Sequence, residues 1–269
     1  MASPQREYAY GVEKIEEIRV KSMRYQEFTL EGRNAVIEAY RAGKTIDKLF
    51  VLEHCKEGSM NTVLREAKKH DTVINYVKRE RLDQMSETGK HQGVIGYVAA
   101  YEYSTVDEIM AKAAEKGETP FVIVLDDIED PHNLGAIIRT ANLAGAHGVI
   151  IPKHRASGLT ATVVKASAGA INYTPVAKVT NISKTIEELK KQGLWFVCAD
   201  MGGTSMYDLD LKGPIGLVIG NEGKGVSRLV KEKCDFVASI PMFGDIDSLN
   251  ASVAAGVLAY EIVRQRIKA

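Results

Sequence analysis

The chain has 269 residues, 45% hydrophobic and 26% charged, which is ordinary globular composition and enough for two domains. No apolar run approaches the roughly 18 residues of a membrane-spanning helix, and the mixed-charge N-terminus has no apolar signal core. Lys+Arg and Asp+Glu both count 35, so the formal net charge is zero, which argues against tight non-specific binding to nucleic acid.

In chain order, residues 1–22 read as an extension with one short helix, Val12 to Val20. Residues 23–103 then alternate helix and strand and read as a small α/β domain. Leu30 to Gly43 has Ala35, Val36, Ala39 and Tyr40 at helical spacing, with Gly43 as the stop. Ile46 to Leu52 is a strand, Ser59 caps a helix through Lys69, and Thr72 to Val77 and Val94 to Ala99 are strands. Residues 104–119 read as a linker with a polar helix, Val106 to Glu115, closed by Thr119-Pro120.

Residues 120–269 have a regular rhythm. Strands are expected at Phe121 to Leu125, Val149 to Ile151, Val176 to Val179, Trp195 to Ala199, Ile215 to Ile219 and Phe236 to Ile240. Helices are expected at Asn133 to Ala144, Ala161 to Ala168 and Ile182 to Gln192, with a long final helix opened by Ser248-Leu249-Asn250-Ala251-Ser252. This alternation implies an α/β fold with a parallel sheet covered on both faces. Ligands of such sheets bind at the carboxyl ends of strands. Cys55, Cys198 and Cys234 show no C-x-x-C spacing, which fits a reducing cytoplasm and no metal site.

Nucleotide-phosphate chemistry is excluded by spacing. The strand Phe121 to Leu125 runs into Asp126-Asp127-Ile128-Glu129-Asp130, whose carboxylates would repel a pyrophosphate. The run Gly220-Asn221-Glu222-Gly223-Lys224-Gly225 lacks the P-loop spacing. That run, the Pro241-Met242 and Ser248-Leu249-Asn250 stretch, and Asp130-Pro131-His132-Asn133-Leu134-Gly135 through Arg139-Thr140-Ala141 resemble the three motifs of the SpoU (TrmH-type) RNA ribose 2′-O-methyltransferases. Gly32-Arg33-Asn34 and His91-Gln92-Gly93 are similar to the branch that modifies a guanosine of large-subunit (23S) ribosomal RNA.

The resemblance implies a deep trefoil knot in residues 120–269, a ribosomal-protein-like RNA-binding domain in residues 23–103, and a cytoplasmic homodimer. Nothing in periodicity signals the knot. The neutral charge then fits selective recognition of a structured RNA. The implied cofactor is S-adenosyl-L-methionine, with Gly220, Ile240 and Leu249 at its site and Ile219, Met242, Met201 and Gly202 as neighbours. Glycine permits close backbone approach, and apolar walls suit an adenine. As isolated aliphatics, Ile219, Ile240 and Leu249 would read as core.

The implied catalytic set is Asn133, Arg139, Glu222, Ser248 and Asn250. The resemblance assigns Arg139 to the target nucleotide and Asn133 to holding Arg139. Arginine keeps its proton far above neutral pH, so Arg139 is read as a bidentate phosphate clamp. A phosphate oxygen or Glu222 then takes the proton, although Glu222 also suits hydrogen bonding to loop amides. Ser248 and Asn250 look like helix caps that also face the site. Arg33 and Asn34 open a helix, where phosphates bind, and His91 and Gln92 lie in a loop where a histidine can stack on an unpaired base. Each of these also reads as an ordinary cap or loop residue. A tRNA ribose is the alternative substrate, and a non-catalytic knotted RNA-binding or ribosome assembly factor is the rival function.

Overall fold

The structure is a computed structural model that describes residues 29–55, 57–246 and 248–267. The extension expected in residues 1–22 lies outside them. The chain divides into two units, Met1–Glu102 and Tyr103–Ala269. No helix among the described residues is long and apolar enough to cross a membrane.

The first unit runs β1 (Thr29–Glu31), α1 (Arg33–Arg41), β2 (Ile46–Leu52), α2 (Ser59–Lys69), β3 (Val73–Val77), α3 (Arg79–Met85) and β4 (Val94–Val98). Its sheet has the order β1-β4-β2-β3, with β2 and β3 parallel and the other pairs antiparallel. Val36, Ile37 and Tyr40 of α1 and Met60, Val63 and Ala67 of α2 are buried with Leu49 and Val51 of β2. Two expectations are corrected here. Leu30 is in β1, opposite Gly96 of β4, and not in the first helix. Gly32 takes a φ of 93°, a left-handed value open to glycine, and separates strand from helix. Ser59 does not cap α2; Gly58 is the N-cap and no side chain bonds there, so Ser59 is simply the first helical residue. Helix α3 was not expected, since it buries only Leu82 and carries no periodic apolar face.

The second unit begins with α4 (Val106–Lys116), fixed by a Thr105–Glu108 capping box. This is the segment expected as part of a linker. Ile109 of α4 is fully buried in the core of this unit, beside Val122 and Ile150, and Ser104 bridges to Ala177. Two buried positions, Ile109 and Ala113, give too faint a stripe to read as a packed helix.

There follow β5 (Phe121–Leu125), α5 (Pro131–Leu143), β6 (Gly148–Pro152), α6 (Ala161–Ala166), β7 (Val176–Val179), α7 (Ile182–Lys191), β8 (Trp195–Ser205), β9 (Ile215–Ile219), α8 (Arg228–Lys231), β10 (Phe236–Ser239) and α9 (Ala251–Ile267). All six strands are parallel, in the order β10-β8-β9-β5-β6-β7. Every residue of the central pair β9 and β5 is buried, as continuous apolar runs in a doubly covered sheet require.

Strand β8 is longer than expected because its pairing with β10 breaks. Val237 faces Cys198, yet the next residue, Ala238, faces Thr204. The intervening residues, with Asp200, Met201 and Gly202 among them, bulge from the ladder, a device that re-aims side chains at sheet rims. At the opposite end of the sheet, α9 closes onto the chain. The Arg266 guanidinium donates to the carbonyls of Thr119 (3.1 Å), Pro120 (3.0 Å) and Gly213 (2.7 Å) and stands over the Phe121 ring. Gln265 donates to the Leu209 carbonyl and accepts from the Leu211 amide.

Candidate functional site

Four loops leave the carboxyl ends of β5, β8, β9 and β10, and two hydrogen bonds join three of them. Asp130 caps α5 by accepting from the His132 amide, with Pro131 in the first turn. This start places Asn133 in the first turn, where it is buried. The Asn133 amide donates from Nδ2 to Glu222 of the β9 loop, and its Oδ1 accepts from Asn250 Nδ2 at 3.0 Å. Asn250 in turn caps α9, its Oδ1 accepting from the Ser252 amide (2.9 Å) and hydroxyl (2.6 Å) and from the Val253 amide. The bonds run in one direction, from the start of α9 through Asn250 and Asn133 to Glu222. Glu222 is therefore the terminal acceptor of the chain.

Two expected roles do not hold in this arrangement. Asn133 does not hold Arg139, because both ends of its amide are engaged elsewhere. Six residues of helix also put the two roughly 9 Å apart along the axis, on different faces. Arg139 is exposed and makes no hydrogen bond or ion pair among the described residues. Ser248 is exposed and is not the cap of the last helix, which starts at Ala251 with Asn250 as its cap.

The Gly-rich β9 loop closes on itself. The Asn221 and Gly225 backbones exchange two hydrogen bonds, of 3.1 and 2.8 Å. Gly220 allows this closure, since a Cβ there would lie 2.2 Å from the Gly225 carbonyl carbon. The Asn221 side chain accepts from the Gly223 and Lys224 amides (3.0 and 3.2 Å) and donates to the Asp127 carbonyl at 3.1 Å. Asp126 is buried and accepts from the Ser227 amide at 2.7 Å. Asp127 is pushed above the usual carboxylate range by burial and by the charge of Asp126, and Arg155, 3.4 Å away, opposes this.

The bulge of β8 brings up the fourth loop. Met201 and Gly202 are exposed there. Asp200 pairs with Lys231 at 2.9 Å, and that hydrogen bond holds its carboxyl below the usual range. The Asp200 carboxylate lies 3.9 Å from where a side chain would begin at Gly202 and at Gly225. These two loops therefore face each other across bare backbone. Ile240 and Leu249 are half-buried, Met242 is exposed, and Ile219 is buried within β9. Such surfaces fit an adenosine approached by backbone and aliphatic groups, although Ile219 offers it little beyond its main chain.

In the first unit, Gly32-Arg33-Asn34 and His91-Gln92-Gly93 meet. The Arg33 amide donates to Gln92 Oε1 (3.3 Å), and its guanidinium donates to the Gln92 carbonyl (3.0 Å), the Glu57 carbonyl (3.2 Å) and Cys55 Sγ (3.4 Å). Every guanidinium nitrogen of Arg33 is thus engaged, and its role is to tie loops together. His91 is also not a stacking ring. It is buried, Nδ1 accepts from the Gly93 amide, and Nε2 therefore carries the proton and faces Asp83 at 2.9 Å. Asn34 and Gln92 remain exposed. Glu31 fastens the same loop by accepting from Ser86 and Thr88 side chains and from the Glu87 amide.

Residues 120–260 match the model of the SpoU rRNA Methylase family, and residues 29–104 match the model described as RNA 2'-O ribose methyltransferase substrate binding. The chain belongs to the SpoU family. It is 52% identical to YacO of Bacillus subtilis (strain 168), assigned to the TrmH family of tRNA/rRNA methyltransferases, over 87% of this chain and 94% of that one. A TrmH family relative in Staphylococcus saprophyticus is 46% identical over 90% of this chain and 97% of its own. Among solved structures, the SpoU methyltransferase AviRb of Streptomyces viridochromogenes, in complex with AdoMet, matches with a TM-score of 0.57 and 27% identity, covering 90% of this chain and 92% of that one. An AdoMet-bound rRNA methyltransferase of Sinorhizobium meliloti matches with a TM-score of 0.55 and 26% identity, over 88% and 87%. As a SpoU-family member this protein is an enzyme, an RNA methyltransferase.

The sequence reading missed Asn221, Asp126 and the Asp200–Lys231 pair. An asparagine beside glycines is a signal for a side-chain-closed turn, and Asn221 carries it.

Proposed function

We propose that this SpoU-family enzyme uses S-adenosylmethionine to methylate a ribose 2′-hydroxyl of ribosomal RNA, a guanosine of the large subunit. The carrying observation is the Asn250–Asn133–Glu222 chain, which joins residues of all three motifs. The relatives' names support RNA as substrate, and the solved AdoMet-bound neighbours support the donor. The cofactor would be held by Gly220, Met201, Gly202, Ile240, Met242 and Leu249, and it supplies an electrophilic methyl group.

The chain's own residues position the acceptor. Glu222, at the acceptor end of that chain, accepts the 2′-hydroxyl proton directly or through a phosphate oxygen. Arg139, without a hydrogen bond or ion pair among the described residues, grips the target phosphate with its planar fork. The substrate RNA docks on the first unit, on a surface that includes Asn34 and Gln92.

Two further parts of the reading concern assembly. The trefoil knot is proposed for the second unit, on the strength of the family and of an α9 that packs on α5 after β10. A homodimer would cover the apolar side chains left exposed on α9 and beside it: Val253, Tyr260, Leu143 and Phe243, the last 98% exposed. The enzyme would work in the cytoplasm, where its RNA is.

The test is incorporation of tritiated methyl into protein-free bulk RNA separated into large-subunit, small-subunit and tRNA fractions. Label in the 2′-O-methylguanosine of the large-subunit fraction is expected. Label confined to tRNA would replace the ribosomal assignment, and no label in any fraction would favour a binding or assembly role. Light scattering should give twice the 29.5 kDa chain mass; a monomer at micromolar concentration would end the dimer proposal.

A further inference from the structure

We infer that Asn221 is a positioning residue whose carboxamide fixes the direction in which Glu222 meets Asn133. The inference rests on the reading of those two residues as part of the methyl-transfer centre. Asn221 works at both ends of its side chain. The acceptor end gathers the Gly223 and Lys224 amides and shapes its own loop. The donor end crosses to the Asp127 carbonyl, 94 residues earlier, in the loop that leads into α5 and Asn133. Glu222, the next residue, is therefore held by one amide between two loops.

The partner is itself constrained. Asp127 has a φ of 61°, a left-handed value that costs a non-glycine residue energy and persists only when its surroundings enforce it. Its carbonyl is held by Asn221 and its carboxylate by Arg155. Only a side chain with an acceptor and a donor at the same short reach meets both demands. Serine is too short, glutamine too long, and an ionised aspartate has no donor.

That last point gives a signature a purely structural residue would lack. A protonated aspartic acid is close in shape to asparagine, with O–H in place of N–H. In Asn221→Asp the donor to Asp127 should return as pH falls. The charged groups around the position are Asp126, Asp127 and Glu129 from the β5 loop, Glu222 and Lys224 from its own loop, Arg155 from the β6 loop, and Asp200 beside Gly225 with its ion-pair partner Lys231 of α8. Carboxylates outnumber cations there, which favours the neutral acid against the pull of the Gly223 and Lys224 amides toward the carboxylate.

Methyl transfer to protein-free bulk RNA and S-adenosylmethionine affinity by calorimetry are compared for the wild type, Asn221→Ala and Asn221→Asp from pH 5.5 to 8. Asn221→Ala should lose about 30-fold or more in kcat at every pH. Asn221→Asp should fall below the alanine variant at pH 8 and recover to within about threefold of wild type at pH 5.5, well above the alanine variant. Relief of charge repulsion alone would raise it only to the alanine level, which overturns the inference, as would wild-type activity in Asn221→Ala. The same recovery is expected in cofactor affinity without RNA, so a wild type that labels no RNA would sink the proposed function and leave this inference to the calorimetry. If the alanine variant fails to fold, the aspartate variant still decides, by the ratio of its affinity to wild type as pH falls.

Discussion

Arg139→Ala separates stability from chemistry, because the structure gives this side chain nothing internal to hold. Arg139 is exposed on α5 and has no hydrogen bond or ion pair among the described residues. Alanine is also a better helix former. The stability change should stay within about 0.5 kcal/mol, which moves the melting temperature by less than about 2 °C in a unit of this size. The proposed clamp on the target phosphate is two charge-assisted hydrogen bonds. Each contributes about 1.5–3 kcal/mol, so losing both costs roughly 4 kcal/mol and about 1,000-fold in kcat/KM. S-adenosylmethionine affinity should remain within a few-fold. Arg139→Lys keeps a point charge without the fork and should lose about 10- to 100-fold. Its pH–rate profile should keep its shape while its height falls, because an arginine that only clamps is charged throughout. Tritiated methyl transfer, calorimetry and thermal melting on the same preparations check this. Full activity in Arg139→Lys would refute the clamp, and loss of cofactor binding in Arg139→Ala would move Arg139 into the cofactor pocket.

Arg266→Ala should behave oppositely. It strands the Thr119 and Gly213 carbonyls, while Pro120 keeps the Ile215 amide as donor, and should lower stability by about 2 kcal/mol, or roughly 4–8 °C in melting temperature; a drop under about 2 °C would mean that water serves those carbonyls as well. Glu31 predicts an acid-sensitive first unit. Burial alone would push its carboxyl up, but hydrogen bonds from Thr88, Ser86 and the Glu87 and Thr88 amides outweigh that and hold it down from 4.5 to about 2. The folded value is depressed, so the stabilisation is present above the unfolded value and is lost as pH falls from about 4.5 toward 2. Urea midpoints of the wild type and Glu31→Gln should differ at pH 7, with the gap reduced to roughly half by pH 3 and closing as pH approaches about 2; an unchanged gap would remove Glu31 from the account.

Four strands were legible to the residue: β2, β5, β7 and β9 begin and end where the sequence suggested, β5 and β9 as unbroken apolar runs. The sequence also picked out Asn133, Glu222 and Asn250, which the structure brings together, although not the bonds through Asn133 that join them. The misreadings share a cause, which is pairing across long separations. Nothing local says that Arg33 will spend its guanidinium on Gln92, 59 residues away, or that His91 will be buried against Asp83. The bulge of β8 is likewise invisible, because Asp200-Met201-Gly202 reads as a loop and only pairing with β10 shows that the strand resumes.

The clasp of Arg266 on Thr119 and Pro120 also bears on how this protein reaches its fold. Those contacts join residues 147 and 146 positions apart, and the centre of the sheet pairs β5 with β9 across most of the same interval. Loop-closure entropy must be met before such contacts reward the chain, so the second unit should fold slowly and late. Until α9 docks, the apolar parallel strands stand open. A refolding yield that falls with protein concentration follows from that interval of exposure, and changes at Arg266 should worsen it even where the finished enzyme still works.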